Sequence, residues 1–252
     1  MSLIEINCLT KAFGGLTAVD DLNLSVGEGE IFGFLGPNGA GKTTTLKMMA
    51  GLIRPNSGSV SICGYDVQKE PMEAKKVLGY VPDRPFVYDK LSASEFMRFM
   101  GGLYLMDEST VRPRSAELLK LFGLSDWAPE LIEGFSHGMK QRLVMAAALL
   151  HEPRVLIVDE PMVGLDPRGV RLLRDVFIGL KEKGSAVFMS THSLDLAEKI
   201  ADRVGIINRG RLIEMGSVDE LKARAEMPGS ALEEVFLKLT EDGAGEQGTL
   251  AS

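Results

Sequence analysis

The stretch IFGFLGPNGAGKTTTLKMMAGLI, residues 31–53, decides the fold. It opens with a compact apolar run, which predicts a buried strand, and it ends with the helical spacing of TLKMMAGLI. Between the two, GPNGAGKT at 36–43 matches the pattern G-x-x-x-x-G-K-(S/T) at every fixed position. A strand, a glycine-rich turn and a helix in this order are the context in which that pattern forms a phosphate-binding loop.

The glycine-rich turn predicts a site for a nucleoside triphosphate. Glycines let backbone N–H groups converge on phosphate oxygens, and the positive end of the following helix adds to the attraction. In such loops the lysine reaches the β- and γ-phosphates, and the hydroxyl that follows it can bind Mg²⁺. The alternative, a glycine-rich turn with a surface lysine, is disfavoured because both flanks fit. The predicted nucleotide-binding residues are Gly36, Pro37, Asn38, Gly39, Ala40, Gly41, Lys42, Thr43 and Thr44, and Thr43 is also a predicted metal ligand.

An acidic pair follows a second apolar run in VLIVDEP, residues 155–161. Asp159 and Glu160 stand at the carboxyl end of this predicted strand, where open α/β sheets bind ligands. Asp159 suits a ligand of Mg²⁺ or of its water. Glu160 suits a general base that polarises the attacking water. An acidic pair that merely caps a strand is the alternative, and the phosphate-binding loop makes the catalytic interpretation the better one.

Strands that alternate with helices predict an α/β protein with a P-loop NTPase core and a mainly parallel sheet. Residues 1–30 alternate between apolar and polar around a Gly14–Gly15 turn, which predicts a small antiparallel β annex. Residues 84–152 are interpreted as an inserted helical subdomain, whose helices begin at a capping box formed by Ser92 and Glu95. We expect one ATPase domain over 1–225, a helical tail at 226–240 and a disordered end at 241–252.

Composition limits the possible partners. The 252 residues carry a formal net charge of −7, which is unfavourable for a nucleic-acid-binding protein, so no nucleic acid is expected. The N-terminal sequence MSLIEINCLTKAF lacks the pattern of a signal peptide. The apolar run at 143–150 is too short to span a bilayer. If a membrane is involved, a partner must therefore supply the spanning helices.

FSHGMKQR, residues 135–142, predicts a helix with Ser136 as its N-cap. Lying between the phosphate loop and VLIVDEP, it resembles the L-S-G-G-Q signature of the nucleotide-binding subunit of ABC transporters, and the resemblance covers about residues 1–240. Ser136 and Gly138 keep the signature, whereas Phe135, His137 and Met139 replace its Leu, first Gly and Gln. The resemblance implies that Ser136 and Gly138 contact the γ-phosphate of ATP held by an opposite, second ATP-binding subunit.

Three further positions take roles from the same resemblance. Asp166, in VGLDP at 163–167, resembles the D-loop residue that communicates across the dimer. His192, in STH at 190–192, resembles the switch histidine that contacts the γ-phosphate and the catalytic glutamate. Phe13 resembles the aromatic residue that stacks on adenine, for which a π-face is sufficient. A structural His192 and a core Phe13 are the respective alternatives.

Asp83, in GYVPDRPF at 79–86, occupies the place where the family usually has a glutamine near Mg²⁺ and the attacking water. Aspartate also offers a hard oxygen, so we expect a metal ligand, direct or through water. Its charge can tighten Mg²⁺ binding and repel the γ-phosphate when the metal is absent, whereas neutral drift is the alternative. Just beyond it, Phe86 and Tyr88 are expected either to line the groove for a membrane subunit or to pack inside the helical subdomain.

The resemblance implies an ATP-hydrolysing subunit that uses ATP and Mg²⁺ and drives transport through a separate integral membrane subunit. Its place would be the cytoplasmic face of the membrane, as a peripheral protein. Asp83, the signature and the tail LEEVFLKLT resemble bacterial exporter ATPases for drugs, antibiotics, sodium or polysaccharides. The alternative is a soluble ABC ATPase that acts on nucleic acid or ribosomes. Glu160 and His192 disfavour a non-hydrolysing regulator, and the signature disfavours a P-loop kinase.

Overall fold

The computed structural model describes the chain over residues 1–245, and its side chains over residues 1–240. Its ten strands are β1 (Ser2–Phe13), β2 (Leu16–Gly27), β3 (Ile31–Leu35), β4 (Ser57–Ile62), β5 (Tyr65–Asp66), β6 (Leu78–Val81), β7 (Val155–Asp159), β8 (Ala186–Thr191), β9 (Arg203–Asn208) and β10 (Arg211–Gly216). Its α-helices are α1 (Lys42–Met49), α2 (Pro71–Lys76), α3 (Ala93–Leu103), α4 (Glu108–Leu121), α5 (His137–Ala148), α6 (Pro167–Glu182), α7 (Leu194–Ile200), α8 (Val218–Arg224) and α9 (Leu232–Gly245).

A six-stranded sheet in the order β10-β9-β3-β8-β7-β6 forms the core, with only the β9–β10 hairpin antiparallel. Every residue of its central strands β3, β7 and β8 is buried, as expected where a sheet is covered on both faces. Alternate residues of β7 face opposite layers. Val155 and Ile157 pack with the annex, whereas Leu156 and Val158 pack with the inserted helices. The predicted α/β fold with a mainly parallel sheet is confirmed.

The predicted antiparallel annex is a four-stranded sheet in the order β2-β1-β4-β5. Strands β1 and β2 are joined by a tight turn at Gly14–Gly15, where Gly14 has a φ of 57°, a conformation that costs glycine little. The annex and α1 share one buried apolar cluster with the face of the core sheet that includes Phe34 and Phe188. This packing holds the annex beside the carboxyl end of β3.

The inserted segment contains α3, α4 and α5, with short 3₁₀ turns at Ser125–Trp127 and Ile132–Gly134. The predicted capping box is present, since the Ser92 side chain accepts from the N–H of Glu95 and the Glu95 carboxylate accepts from the N–H of Ser92. Phe122 and Phe135 join these helices to the sheet in one apolar cluster. Among the described residues, no helix is long and apolar enough to cross a membrane.

The tail differs from expectation in its length. Helix α9 continues to Gly245, five residues beyond the expected helical tail, and residues 246–252 lie outside the described residues. Leu232 and Val235 of α9 pack with Leu221 of α8 and Leu35 of β3, so the tail belongs to a cluster that reaches the core sheet. Helices α2 and α8 were not expected, because segments this short carry little periodic signal.

Candidate active site

The loop of residues 36–44 joins β3 to α1 as predicted, and close approach of the backbone explains two of its glycines. Gly41 has a φ of 110°, and a Cβ there would lie 2.3 Å from the carbonyl oxygen of Ala18. A Cβ on Gly36 would lie 2.4 Å from the carbonyl oxygen of Ile207. Any side chain at either position would collide with backbone atoms, so the annex and β9 together require glycine and fix the shape of the loop.

Lys42 begins α1 and is buried. Its ammonium group donates to the carbonyl oxygens of Gly36 at 2.6 Å and Pro37 at 3.2 Å, so the side chain folds back over the loop. Burial lowers the pKa of Lys42, and the nearby carboxylates of Glu160 and Asp159 oppose this shift. The lysine therefore lies in the field of the acidic pair. Thr43 is exposed next to it, and its hydroxyl is accessible to a ligand.

Asp159 ends β7 and is almost completely buried, with 1% of its surface exposed. Its Oδ1 accepts a short hydrogen bond from the Ser190 hydroxyl on the neighbouring strand β8. Its Oδ2 is buried and has no hydrogen-bond partner among the described residues. A buried carboxylate oxygen without a partner is costly unless a ligand satisfies it. Asp159 thus fits a cation or a cation-bound water.

Glu160 follows with a φ of 49°, which is a strained backbone conformation for a residue with a side chain. Its N–H donates to the carbonyl oxygen of Ser190 at 3.1 Å, which secures this backbone. His192 contacts its carboxylate twice: Nδ1 lies 2.8 Å from Oε2, and the backbone N–H donates to Oε2 at 3.3 Å. The predicted base and the predicted switch histidine are therefore brought together at the carboxyl ends of β7 and β8.

Asp83 lies in the loop that follows β6, the strand beside β7. Tyr80, on β6, lies in the field of both Asp83 and Asp159. Burial raises the pKa of Tyr80 to about 12, and the negative charges of Asp159 and Asp83 contribute to this shift. The sequence alone assigned Tyr80 no role, although a tyrosine three residues before Asp83 in a mostly buried strand was the available signal. Among the described residues, no cluster of three or more His, Cys, Asp or Glu could hold a metal alone, so a cation here needs phosphate or water oxygens as further ligands.

Phe13 lies at the end of β1, and 51% of its surface is exposed, so it is not a core residue. The Lys11 ammonium lies 5.0 Å from the centroid of its ring. An exposed aromatic face with a cation beside it is suited to stacking on a base.

Ser136, Gly138 and Asp166 form a second group. Ser136 is the N-cap of α5 as predicted, because its hydroxyl accepts from the N–H of Met139 at 3.3 Å. Asp166 is the N-cap of α6, and its Oδ1 accepts from the N–H of Gly169 at 2.8 Å. All three predicted site residues line one cleft of about 670 Å³, whose described lining includes none of residues 36–44. Within one chain, this cleft is therefore lined by the second group and not by the phosphate-binding loop.

Comparisons with known proteins agree with this architecture. The family model described as ABC transporter matches residues 19–163, more than half of the chain. The chain is 39% identical to the probable multidrug ABC transporter ATP-binding protein YbhF of Escherichia coli over 96% of its own length, and it spans 42% of that protein. It is 37% identical to the linearmycin resistance ATP-binding protein LnrL of Bacillus subtilis, over 93% of this chain and 78% of LnrL. The bacitracin transport ATP-binding protein BcrA of Bacillus licheniformis is 41% identical, over 88% of this chain and 72% of BcrA.

Solved structures show the same similarity. The structure of an ATP-binding subunit of an ABC transporter superposes with a TM-score of 0.90 at 33% identity, covering 94% of this chain and 99% of that one. CbiO1 of Clostridium perfringens, part of the ABC transporter complex CbiONQ, superposes with a TM-score of 0.77 at 27% identity, covering 96% and 98%. The chain belongs to the ABC transporter family, as an ATP-binding member.

Proposed function

We propose that the chain is the ATP-hydrolysing subunit of an ABC exporter and drives transport through a separate integral membrane subunit. The observation that carries ATP hydrolysis is the contact between Glu160 and His192 at the sheet edge where Lys42 lies in the field of the acidic pair. A binding module alone does not need a carboxylate held in a strained position beside a phosphate-binding loop.

The loop of residues 36–44 takes the phosphates of ATP. Its backbone N–H groups and the start of α1 supply positive potential, and Lys42 can exchange its two loop carbonyls for the β- and γ-phosphates. Phe13 supplies a stacking face for adenine at the edge of the annex.

The residues present fit Mg²⁺. The Oδ2 of Asp159 is a hard oxygen with no partner among the described residues, Thr43 offers an accessible hydroxyl, and Asp83 adds a third oxygen from the loop after β6. When bound, the cation neutralises charge on the phosphates during transfer. Ser190 holds the other oxygen of Asp159 and so keeps Oδ2 in place.

Glu160 acts on the attacking water. Its carboxylate is mostly covered, with 14% of the side chain exposed, and it accepts the water's proton as a general base. His192 fixes the position of the carboxylate, and its exposed ring is free to contact the γ-phosphate.

The second group of residues completes the site of another copy. Ser136 and Gly138 lie at the exposed start of α5, a helix end that attracts anions. The phosphate-binding loop of the same chain does not line this cleft, so the phosphate must come from another chain. Two chains that pair head to tail bring each such helix end to the other's ATP, together with Asp166. The pairing is symmetric and closes at two chains. ATP binding closes this dimer, and hydrolysis opens it.

The membrane subunit docks on exposed aromatic side chains next to Asp83. Phe86 is 76% exposed and contacts Tyr88 edge to face, and Tyr88 contacts Phe99 of α3 in the same way. Such a cluster outside the core is suited to an apolar segment of a partner. The names of relatives, which refer to multidrug transport, linearmycin resistance and bacitracin transport, support export. The same proposal places the chain as a peripheral protein on the cytoplasmic face of the membrane.

The first test measures the turnover of the Glu160→Gln protein and the proteins that co-purify with it. We expect it to bind ATP and to lose turnover on the order of a hundredfold or more, because the amide cannot accept the proton. Lys42→Ala should instead lose nucleotide affinity. When the Glu160→Gln protein is purified from its native host with ATP, a membrane subunit with several spanning helices should co-purify and be identified by mass spectrometry. Co-purification of ribosomal proteins or nucleic acid instead would refute the assignment as a transporter subunit. Normal turnover would refute the role of Glu160.

A further inference from the structure

His137 replaces a glycine of the signature, and its ring lies against the loop that carries Asp166. A Cβ built on Gly164 would lie 2.6 Å from Cδ2 and 3.2 Å from Nε2 of His137. All three nearest atoms to that hypothetical Cβ belong to His137. The imidazole therefore fills the space directly over the α-carbon of Gly164.

The two loops approach each other at a second point as well. A Cβ on Gly138 would lie 3.1 Å from the carbonyl oxygen of Gly164. Gly164 has a φ of 78°, so this part of the loop takes a conformation that favours glycine. The start of α5 and the loop before α6 are thus in close contact through one exposed side chain and one stretch of backbone.

Both sides of this contact are held by other interactions. Arg142 donates from Nη1 to the carbonyl oxygen of Phe122 at 3.0 Å and from Nε to that of Gly138 at 3.3 Å, which ties the start of α5 to the end of α4. Asp166 caps α6 on the other side. The His137 ring packs on Gly164, two residues before Asp166.

We propose that His137 is a positioning residue that couples Ser136 to Asp166 within one chain, so that both reach the partner's ATP in a single arrangement. This inference rests on the shared site proposed above. It acts through packing of the ring on Gly164 and not through a bond to phosphate. Without the ring, residues 163–165 gain freedom that dimer closure must remove, and closure weakens.

The expected effect falls on dimer closure and not on nucleotide binding to a single chain. In the Glu160→Gln protein, His137→Gly should weaken ATP-driven dimerisation by about tenfold, within the range of coupling between residues in contact. The affinity of the isolated chain for ATP should not change, because residues 36–44 are untouched. His137→Phe keeps a ring over Gly164 without a hydrogen-bonding nitrogen, so it should retain most of the dimerisation.

A double-mutant cycle isolates the contact. Gly164→Ala should weaken dimerisation strongly when His137 is present, because the added methyl meets the ring, and much less in the His137→Gly background. The backbone strain of alanine at a φ of 78° is present in both backgrounds and cancels from the cycle. Sedimentation velocity with ATP measures dimerisation, and thermal unfolding shows that each variant is folded.

The possible results distinguish a failure of the His137 coupling from a failure of the shared ATP site. Equal losses for Gly164→Ala in both backgrounds would overturn the coupling, as would a His137→Phe protein that loses as much as His137→Gly. A loss of thermal stability with unchanged dimerisation would reduce His137 to a structural residue. If the Glu160→Gln parent forms no dimer with ATP, the shared site itself is wrong, and the inference fails with it.

Discussion

The imidazole of His192 and the carboxylate of Glu160 are in direct contact, with Nδ1 2.8 Å from Oε2. The contact is asymmetric in exposure, since 65% of the His192 side chain is accessible but only 14% of the Glu160 side chain. The histidine thus covers one carboxylate oxygen and directs the other. A strained backbone at Glu160 and a flexible carboxylate would otherwise give several orientations, of which only some reach the attacking water.

We expect His192→Ala to lower kcat roughly ten- to hundredfold, because an unpositioned base transfers the proton less well. ATP affinity should change little, since the phosphate-binding loop is intact. His192→Gln serves as the matched variant, because its amide can still donate to Oε2, and it should retain more turnover than alanine. Steady-state ATPase assays measure both. An alanine variant with unchanged kcat would exclude His192 from the reaction.

Asp83 should affect the dependence of turnover on Mg²⁺. Its carboxylate adds negative charge in the loop after β6, the strand that pairs with the one ending in Asp159. Asp83→Asn should therefore raise the Mg²⁺ concentration for half-maximal ATPase activity several-fold. In EDTA the same variant should bind ATP more tightly, because less charge repels the phosphates. Asp126→Asn makes the same change on an exposed 3₁₀ turn and should alter neither value. Identical Mg²⁺ titrations for Asp83→Asn and the parent protein would favour neutral drift as the explanation for aspartate at this position.

Phe13→Ala should weaken ATP binding by one to two orders of magnitude, since stacking on a base contributes about 1–3 kcal/mol. Phe13→Tyr keeps the π-face and should bind normally. Met72→Ala removes an exposed apolar side chain elsewhere, on α2, and controls for the loss of apolar surface in general. A fluorescent ATP analogue measures all three affinities. Equal binding by the alanine variant and the parent would contradict base stacking at this position.

The parts of the site that lie within one short stretch of sequence were predictable, because adjacent residues define them. The loop at 36–44 is recognised from its glycines and lysine, and the pair Asp159–Glu160 from two charges that follow an apolar run. The cap at Ser136 was predictable for the same reason. The order of strands and helices also predicted the parallel sheet.

Features that depend on the approach of distant segments could not be predicted. The hydrogen-bonding partner of Asp159, Ser190, comes from a neighbouring strand, and the ring of His137 meets Gly164 only because α5 and α6 begin side by side. The end of α9 at Gly245 was also not predicted, because a polar, glycine-containing sequence gives no clear signal for the end of a helix. Tyr80 was missed because only its place in the fold, near Asp159 and Asp83, distinguishes it from other tyrosines.

We expect His151 to make the stability of the fold depend on pH. Its ring stacks on Tyr104 with centroids 3.6 Å apart, Nε2 lies 3.1 Å from the carbonyl oxygen of Leu78, and Nδ1 is buried without a partner among the described residues. Burial lowers the pKa of His151 to about 4, although the hydrogen bond to Leu78 opposes the shift. Protonation would place a charge on a nitrogen that no described residue stabilises.

The folded and unfolded chains bind the proton of His151 at different pH. The unfolded chain binds this proton near pH 6.5, whereas the folded chain binds it only near pH 4, so unfolding takes up a proton between these values. The free energy of unfolding should therefore fall as pH drops from 6.5 to 4, by up to about 3 kcal/mol from this group at 1.36 kcal/mol per pKa unit, and by less where water reaches the ring.

His151→Phe keeps the stack on Tyr104 and removes the titrating nitrogen. Urea unfolding of both proteins at about pH 7.5, 6, 5 and 4.5 measures the difference, since the carboxylates contribute equally to both and cancel. We expect the parent to lose stability relative to His151→Phe as pH falls through this window, with a constant difference above about pH 7. Parallel curves across the whole range would mean that His151 titrates normally in the folded chain and that the junction between α3, α5 and β6 admits its charge.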